Sequence, residues 1–250
     1  MTGPARDPAG PASADTSVPA TPPGGRAADP PAQDWRAWHD EYDVPGSQLA
    51  RRLAAVQEQI RVALDSSPPG PLRVVSICAG QGRDLLGVLA THPRGRDVTA
   101  RLVELDPRNA AIARDAAHAA GLGGVGVVVG DASLTDQYTG LVPAHLVLAC
   151  GVFGNITRAD TERTITFLGR MTATGGTAIW TRHRREPDLV PQLCRWFELR
   201  GFELVWQSDP GADYGVGAHR FAGARAELEP GASMFTFVGR ERLRALERGA

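Results

Sequence analysis

The residue types best suited to chemistry lie in one short stretch, Val74-Val75-Ser76-Ile77-Cys78-Ala79-Gly80-Gln81-Gly82-Arg83-Asp84. An apolar run passes into a turn with two glycines, and a helical pattern opens directly after it. Gly80 and Gly82 let the backbone turn tightly and let a ligand approach with no Cβ in the way. The N–H groups of the turn then face the crevice at the strand's carboxyl end, where open α/β sheets bind ligands. Read alone, such a turn serves equally as a plain strand-to-helix connection. Two acids sharpen the reading. Glu104 ends the next apolar run, 22 residues after Gly82, where a carboxylate can accept from both hydroxyls of a ribose. Asp131, in Gly130-Asp131-Ala132, closes the third run, where a carboxylate can accept from an adenine amino group. The plain alternatives are a solvated strand end for Glu104 and a turn residue for Asp131.

Groups able to move a proton are fewer. His183 follows a later apolar run at the same ligand-bearing edge, and His219 and Tyr214 fall in the stretch Asp213 to Arg220, which reads as a loop. Each serves equally as a structural residue. Trp35, Trp38 and Tyr42 recur at helical spacing behind Asp34. That segment either closes over the crevice, bringing Trp38, His39 and Tyr42 to an acceptor pocket, or packs as a satellite of the core. Cys150 reads as a small buried hydrophobe. Arg182, Arg184 and Arg185 favour an acidic acceptor or simply form a solvated edge. All 27 basic residues are Arg, which removes Schiff-base and phosphate-lysine mechanisms. The three cysteines are widely spaced, so neither a zinc set nor a disulfide framework is expected, and a reducing cytoplasm is the expected location.

These residues need elements to position them. Ser47 is placed to cap a helix from Gln48 to about Asp65, with Leu49, Leu53, Val56, Ile60 and Leu64 on one stripe. Strands are predicted at Val74–Cys78, Asp97–Glu104, Val125–Val129, Leu146–Ala149 and Thr177–Thr181. Helices are predicted at Asp84–Ala90, Asn109–Ala120, Asp160–Met171 and Leu189–Leu199. Continuous apolar strands alternating with helices imply a parallel sheet covered on both faces. The last two predicted strands, Phe202–Gln207 and Ser233–Val238, are joined by a Gly- and Ala-rich connection without helical pattern, which implies an antiparallel pair. Three regions follow: a Pro/Ala-rich tail at 1–34, holding 8 of the 19 prolines and expected to lack order, a helical cap at 35–72, and the main domain at 73–250.

The chain is 42% hydrophobic and 22% charged, the balance of a globular protein, and carries a formal charge of −1. That charge disfavours a nucleic-acid partner. No apolar run is long enough for a membrane span.

From about Arg73 to Val238 the chain resembles the class I S-adenosylmethionine-dependent methyltransferases. Cys78 to Gly82 is similar to that family's first motif, acid-x-Gly-x-Gly, Glu104 to its ribose-holding acid, and Gly130-Asp131-Ala132 to its adenine segment. Leu146 to Asn155 resembles the fourth strand and the loop facing the methyl group, and Leu168 with Gly175 to Trp180 resembles the helix–Gly-Gly–fifth-strand element. The resemblance implies a Rossmann-like, doubly wound, mostly parallel seven-stranded sheet whose last strand inserts antiparallel between strands five and six. It implies S-adenosylmethionine as cofactor, held by Cys78, Ala79, Gly80, Gln81, Gly82, Asp84, Glu104, Leu105, Asp131, Ala132, Cys150 and Gly151. A small-molecule acceptor would meet Trp38, His39, Tyr42, Phe153 and Asn155. Two departures stand out: Cys78 replaces the first-motif acid, and Asp84 takes the third glycine position, where it either meets the methionine end of the cofactor or is simply a first-turn acid favoured by the helix dipole. A catalytically silent cofactor-binding module and a nucleotide-dependent dehydrogenase are the competing readings.

Overall fold

Strands that are apolar without alternation must lie between two helical layers. β1 (Leu72–Ile77) and β4 (Ala144–Ala149) are of this kind, buried along nearly their whole length. The computed structural model describes residues 1–3, 41–239, 242, 243, 245 and 246. The chain divides into two units, Met1–Ala32 and Gln33–Ala250, and the elements below belong to the second. The other strands are β2 (Val98–Glu104), β3 (Val125–Val129), β5 (Thr172–His183), β6 (Phe202–Gln207) and β7 (Tyr214–Phe221). They form one sheet in the order β3-β2-β1-β4-β5-β7-β6. Neighbours pair in parallel except at β7, which runs antiparallel to both β5 and β6. The predicted doubly wound sheet and its inserted antiparallel strand are both present.

The strand that occupies the inserted position differs from the predicted one. Ser233–Val238 is not a strand; β7 is Tyr214–Phe221, in the stretch read as a loop. Its glycines explain the misreading. A Cβ at Gly217 would collide with the Trp180 ring, lying 2.8 Å from Nε1, and one at Gly215 would collide with Val190. Glycine here makes room for large neighbours, so β7 lacks the side chains that mark a strand in sequence.

Helix α1 (Gln48–Ser66) begins as predicted, with Ser47 Oγ accepting from Ala50 N at 3.0 Å. Leu49, Val56, Ile60, Ala63 and Leu64 form its buried face. Its carboxyl end is held by Arg94, whose guanidinium donates to Leu64 O and Ser67 O through Nη1 and to Pro68 O and Gly70 O through Nη2, at 2.8–3.1 Å. The fork satisfies carbonyls that a helix terminus leaves open. Arg94→Ala is expected to lower stability by about 2 kcal/mol in urea titration. Arg94→Lys should recover only part of this, because an ammonium cannot serve both sides of the fork.

Helices α2 (Arg83–Leu89) and α3 (Pro107–Ala119) lie in the first half of the chain, and α4 (Arg158–Met171) and α5 (Val190–Leu199) in the second. Between α5 and the sheet, Trp180 stacks on Phe197 at 5.9 Å and 13°, and the His219 ring stacks on Phe197 at 4.5 Å.

Candidate functional site

At the carboxyl end of β1 the chain turns through three left-handed residues, Cys78 (φ 51°), Gly80 (φ 56°) and Gly82 (φ 68°). Gly82 N donates to Ala79 O at 2.9 Å, and Gly82 precedes α2. A Cβ at Gly82 would lie 2.8 Å from Leu102 Cδ2 and 2.9 Å from Leu86 Cδ1, so glycine is required on packing as well as conformation.

Glu104 closes the end of this turn. Its Oε2 accepts from Gly80 N at 2.8 Å and its Oε1 from Asp106 N at 2.9 Å. These use two of the roughly four lone pairs of a carboxylate. On the next loop Asp131 Oδ1 accepts from Ser133 N at 2.9 Å. Asp84, in the first turn of α2, accepts from Leu85 N at 2.8 Å. Burial pushes its carboxyl above the usual range, against the opposing effects of the Cys150 thiol and the Arg52 guanidinium. Arg52 Nη2 donates to Tyr42 Oη at 2.7 Å. Burial also pushes the Cys78 and Cys150 thiols up, reinforced by Glu104 and Asp131 at Cys78 and by Asp84 at Cys150. Both thiols therefore stay protonated, which argues against a nucleophilic role.

Tyr42, Arg52, Cys78, Asp84, Glu104, Asp131 and Cys150 all line one cavity of about 620 Å³, within the usual range for small-molecule sites. Its further wall is built by the ends of β4 and β5. There Asn155 Nδ2 donates to Gly151 O at 2.8 Å, and its buried Oδ1 has no partner among the described residues. Thr181 Oγ1 accepts from Gly151 N at 2.8 Å. Arg182 is buried and donates through Nη1 to Phe153 O. His183 lies against Gly154, and its Nδ1 accepts from Arg185 N at 3.3 Å.

The chain matches no family profile, and no curated protein matches it in sequence. Solved structures do match. An O-methyltransferase family protein from Burkholderia thailandensis aligns at TM-score 0.56 and 18% identity, over 78% of this chain and 60% of the other. A TehB-like S-adenosylmethionine-dependent methyltransferase from Corynebacterium glutamicum aligns at 0.51 and 19%, over 74% and 99%. The CurJ carbon methyltransferase aligns at 0.61 and 14%, over 76% and 59%. The fold is that of S-adenosylmethionine-dependent methyltransferases. The chain spans about 60% of the first and third of these proteins. Their names point to oxygen in one case and carbon in the other, so the methyltransferase fold does not choose an acceptor atom.

Within this methyltransferase fold, most of the predicted cofactor residues meet at the cavity. Cys78, Ala79, Gly80, Gln81 and Asp84 reach it from the first turn, Glu104 and Leu105 from the second, and Asp131, Ala132, Cys150 and Gly151 from the next two. Gly82 shapes the turn without lining the cavity. Tyr42, Asn155 and His183 also line it. Trp38 and His39 lie outside the described residues. Three predicted residues are placed elsewhere. Phe153 is fully buried against Trp180 and Phe197 and offers only its carbonyl to Arg182. His219 is fully buried in β7, where its Nδ1 accepts from Trp180 Nε1 at 3.1 Å, and Tyr214 begins the same strand outside the cavity lining.

Sequence reasoning missed several contributors. Arg52, Leu53 and Val56 reach the cavity from α1, and Leu53 was legible only as part of an apolar stripe. Thr181 lies near the end of the same strand as His183, and that position was the available signal; Arg182, expected to favour an acidic acceptor or to form a solvated edge, is instead buried in the cavity wall. Asn109, in the first turn of α3, accepts from Gln81 Nε2 at 3.3 Å, and its own Nδ2 is buried without a partner among the described residues. Phe235 and Phe237 fall in the stretch predicted as the last strand, and nothing in that prediction pointed to the cavity. Among the described residues no cluster of His, Cys, Asp and Glu could hold a metal ion, and no helix is long and apolar enough to cross a membrane.

Proposed function

We propose that this chain is an enzyme that transfers a methyl group from S-adenosylmethionine to a small-molecule acceptor. The observation that carries the reading is the placement of Asp84, Glu104 and Asp131 around one cavity at the end of a glycine turn. Three carboxylates suit a ligand bearing an ammonium and a sulfonium. A dinucleotide would set its pyrophosphate at the start of α2, against Asp84, where the charges repel. The residues fit the cofactor as follows. Glu104 has lone pairs left for the ribose hydroxyls, Asp131 for the adenine amino group, and Asp84 offers a carboxylate to the ammonium group. Cys78 leaves the first-motif acid's place neutral, and Asp84 supplies the charge from the helix start instead.

When bound, this cofactor supplies a methyl group already activated by its sulfonium. The chain's task is then to align the acceptor and exclude water, which can lower a barrier by about 7–11 kcal/mol. Asn155 offers Oδ1 to an N–H or O–H of the acceptor, and His183 lines the same wall. A general base is needed only where the acceptor must lose a proton early. A near-neutral chain without a basic excess favours a small acceptor over a nucleic acid.

Calorimetry tests the reading. S-adenosylmethionine and S-adenosylhomocysteine should bind in the micromolar range and NAD should not. Asp84→Asn should weaken both sulfur ligands by about tenfold, or 1.4 kcal/mol. Binding of NAD in their place, or an Asp84→Asn variant with unchanged affinity, would overturn it. Release of S-adenosylhomocysteine in the presence of acceptor mixtures separates an enzyme from a binding module.

A further inference from the structure

The chain contains only two asparagines, Asn109 and Asn155. Both are buried, both line the cavity, and each has one amide atom without a partner among the described residues. The two atoms are of opposite sense, an accepting Oδ1 at Asn155 and a donating Nδ2 at Asn109. Buried polar atoms without partners are costly and uncommon. In a chain that otherwise avoids asparagine, two such amides on one cavity point to ligand atoms rather than to packing. Under the function proposed above, Asn155 serves the acceptor. Asn109, which is 1% exposed, belongs to the glycine-turn end.

The sense of the Asn109 amide is fixed by a chain of bonds that starts at the surface. Asp43 is an exposed residue of the short 3₁₀ helix Glu41–Asp43. It accepts from both arms of the Arg83 fork, Nη1 to Oδ1 at 2.6 Å and Nη2 to Oδ2 at 3.0 Å. Arg83 Nε donates to Gln81 Oε1 at 2.9 Å. A guanidinium has no accepting atom, so Gln81 must turn its oxygen to Arg83 and its NH₂ away. That NH₂ donates to Asn109 Oδ1 at 3.3 Å. Asn109 must in turn present its oxygen to Gln81, which leaves Nδ2 as the atom on its other side.

Glu104 meets the same turn. It accepts from Gly80 N, the neighbour of Gln81, and from Asp106 N, three residues before Asn109. One end of the cavity therefore carries a carboxylate that only accepts and an amide nitrogen that only donates. A hydroxyl is the complement of that pair, because it donates to one and accepts from the other. An ammonium would satisfy Glu104 and oppose Asn109 with a second donor.

We infer that Asn109 is a cofactor-binding residue of this site, its Nδ2 donating to the oxygen of a ribose hydroxyl whose proton Glu104 accepts. Gln81 and Arg83 are positioning residues that act through it. The inference rests on the cofactor reading for the identity of the hydroxyl.

The test measures S-adenosylhomocysteine and its 2′-deoxy and 3′-deoxy forms by calorimetry on the full-length protein, with adenosine followed by NMR titration. Asn109→Ala should weaken S-adenosylhomocysteine by about tenfold. It should weaken one of the two deoxy forms by less than about twofold, because the partner of Nδ2 is already missing there. Gln81→Glu is the second variant. A carboxylate keeps the bond from Arg83 but cannot donate, so Asn109 must turn its NH₂ to Glu and its Oδ1 to the ligand. The same pattern across the three ligands is expected, with Asn109 itself untouched. Thermal melts verify that both variants fold. Affinities within about twofold of wild type in both variants would mean that water satisfies Nδ2, and would overturn the inference. An equal loss for all three ligands would overturn it too, since a residue that merely shapes the turn does not distinguish them. Wild type that binds no S-adenosylhomocysteine overturns the cofactor reading. Adenosine binding that Asn109→Ala weakens by about tenfold would then uphold the hydroxyl site without it, and absence of adenosine binding would overturn both.

Discussion

Glu104→Ala is expected to weaken S-adenosylmethionine and S-adenosylhomocysteine binding by at least about a hundredfold, or about 2.8 kcal/mol. Two losses combine. The carboxylate fixes the glycine turn by accepting from Gly80 N and Asp106 N, and hydrogen bonds to a charged acceptor are each worth about 1.5–3 kcal/mol. Its remaining lone pairs are the acceptors proposed for the ribose. Glu104→Gln should be nearly as damaging, because an amide has one accepting oxygen and its NH₂ would face one of the two backbone N–H donors. Calorimetry gives the affinities, and thermal melts show whether the turn has collapsed. A folded Glu104→Gln variant that binds within threefold of wild type would remove Glu104 from the ribose site.

Acid should destabilise the protein through His219. Burial holds its imidazole down to about 4, against an ordinary value of 6.5. The Trp180 N–H also occupies Nδ1, which favours the neutral ring. The folded state therefore binds this proton less readily than the unfolded chain. Its contribution is complete above the unfolded value of 6.5 and is lost as pH falls toward the folded value of about 4. The full loss is about 3 kcal/mol, with about 2 kcal/mol gone by pH 5. Asp84 works in the opposite sense, because its raised carboxyl favours protonation in the folded state. Comparison with His219→Gln isolates the histidine. Urea unfolding at pH 7 and pH 5 should show a smaller difference for the variant than for wild type, by about 2 kcal/mol. An identical acid dependence in the two proteins would mean that His219 is protonated in place.

The first half of the sheet and the glycine-turn end of the cavity were legible in the chain itself. β1 and β4 are buried along nearly their whole length and β2 over its second half, so their apolar residues dominate. The glycine turn and Glu104 follow each other at a spacing set by one strand, one helix and one strand. Local rules suffice for such features, because a turn that needs positive φ selects glycine and a helix start selects Ser47 or Asp106 as its cap. The second half resisted. β7 is short of strand-forming side chains because Trp180 and Val190 fill the space beside Gly215 and Gly217. That requirement belongs to neighbours distant in sequence.

The same division runs through the site. Sequence alone decided the alternation of β and α elements, the turn from Cys78 to Gly82 and the acids Glu104 and Asp131, since each follows from local conformation or from residue order along one βαβ unit. It also decided the two-residue alternation of Ser233–Val238, but not what that alternation faces. Tertiary structure decided that Asp84 and Arg52 share a cavity, that His219 is core and His183 is wall, and that Phe235 and Phe237 line the same cavity. Those outcomes depend on which strand inserts between β5 and β6 and on where residues 222–239 are held. Hydrogen bonds joining Ser133, Thr135 and Asn155 to residues some 80 to 100 positions away hold that segment, and no local pattern encodes a pairing at that range.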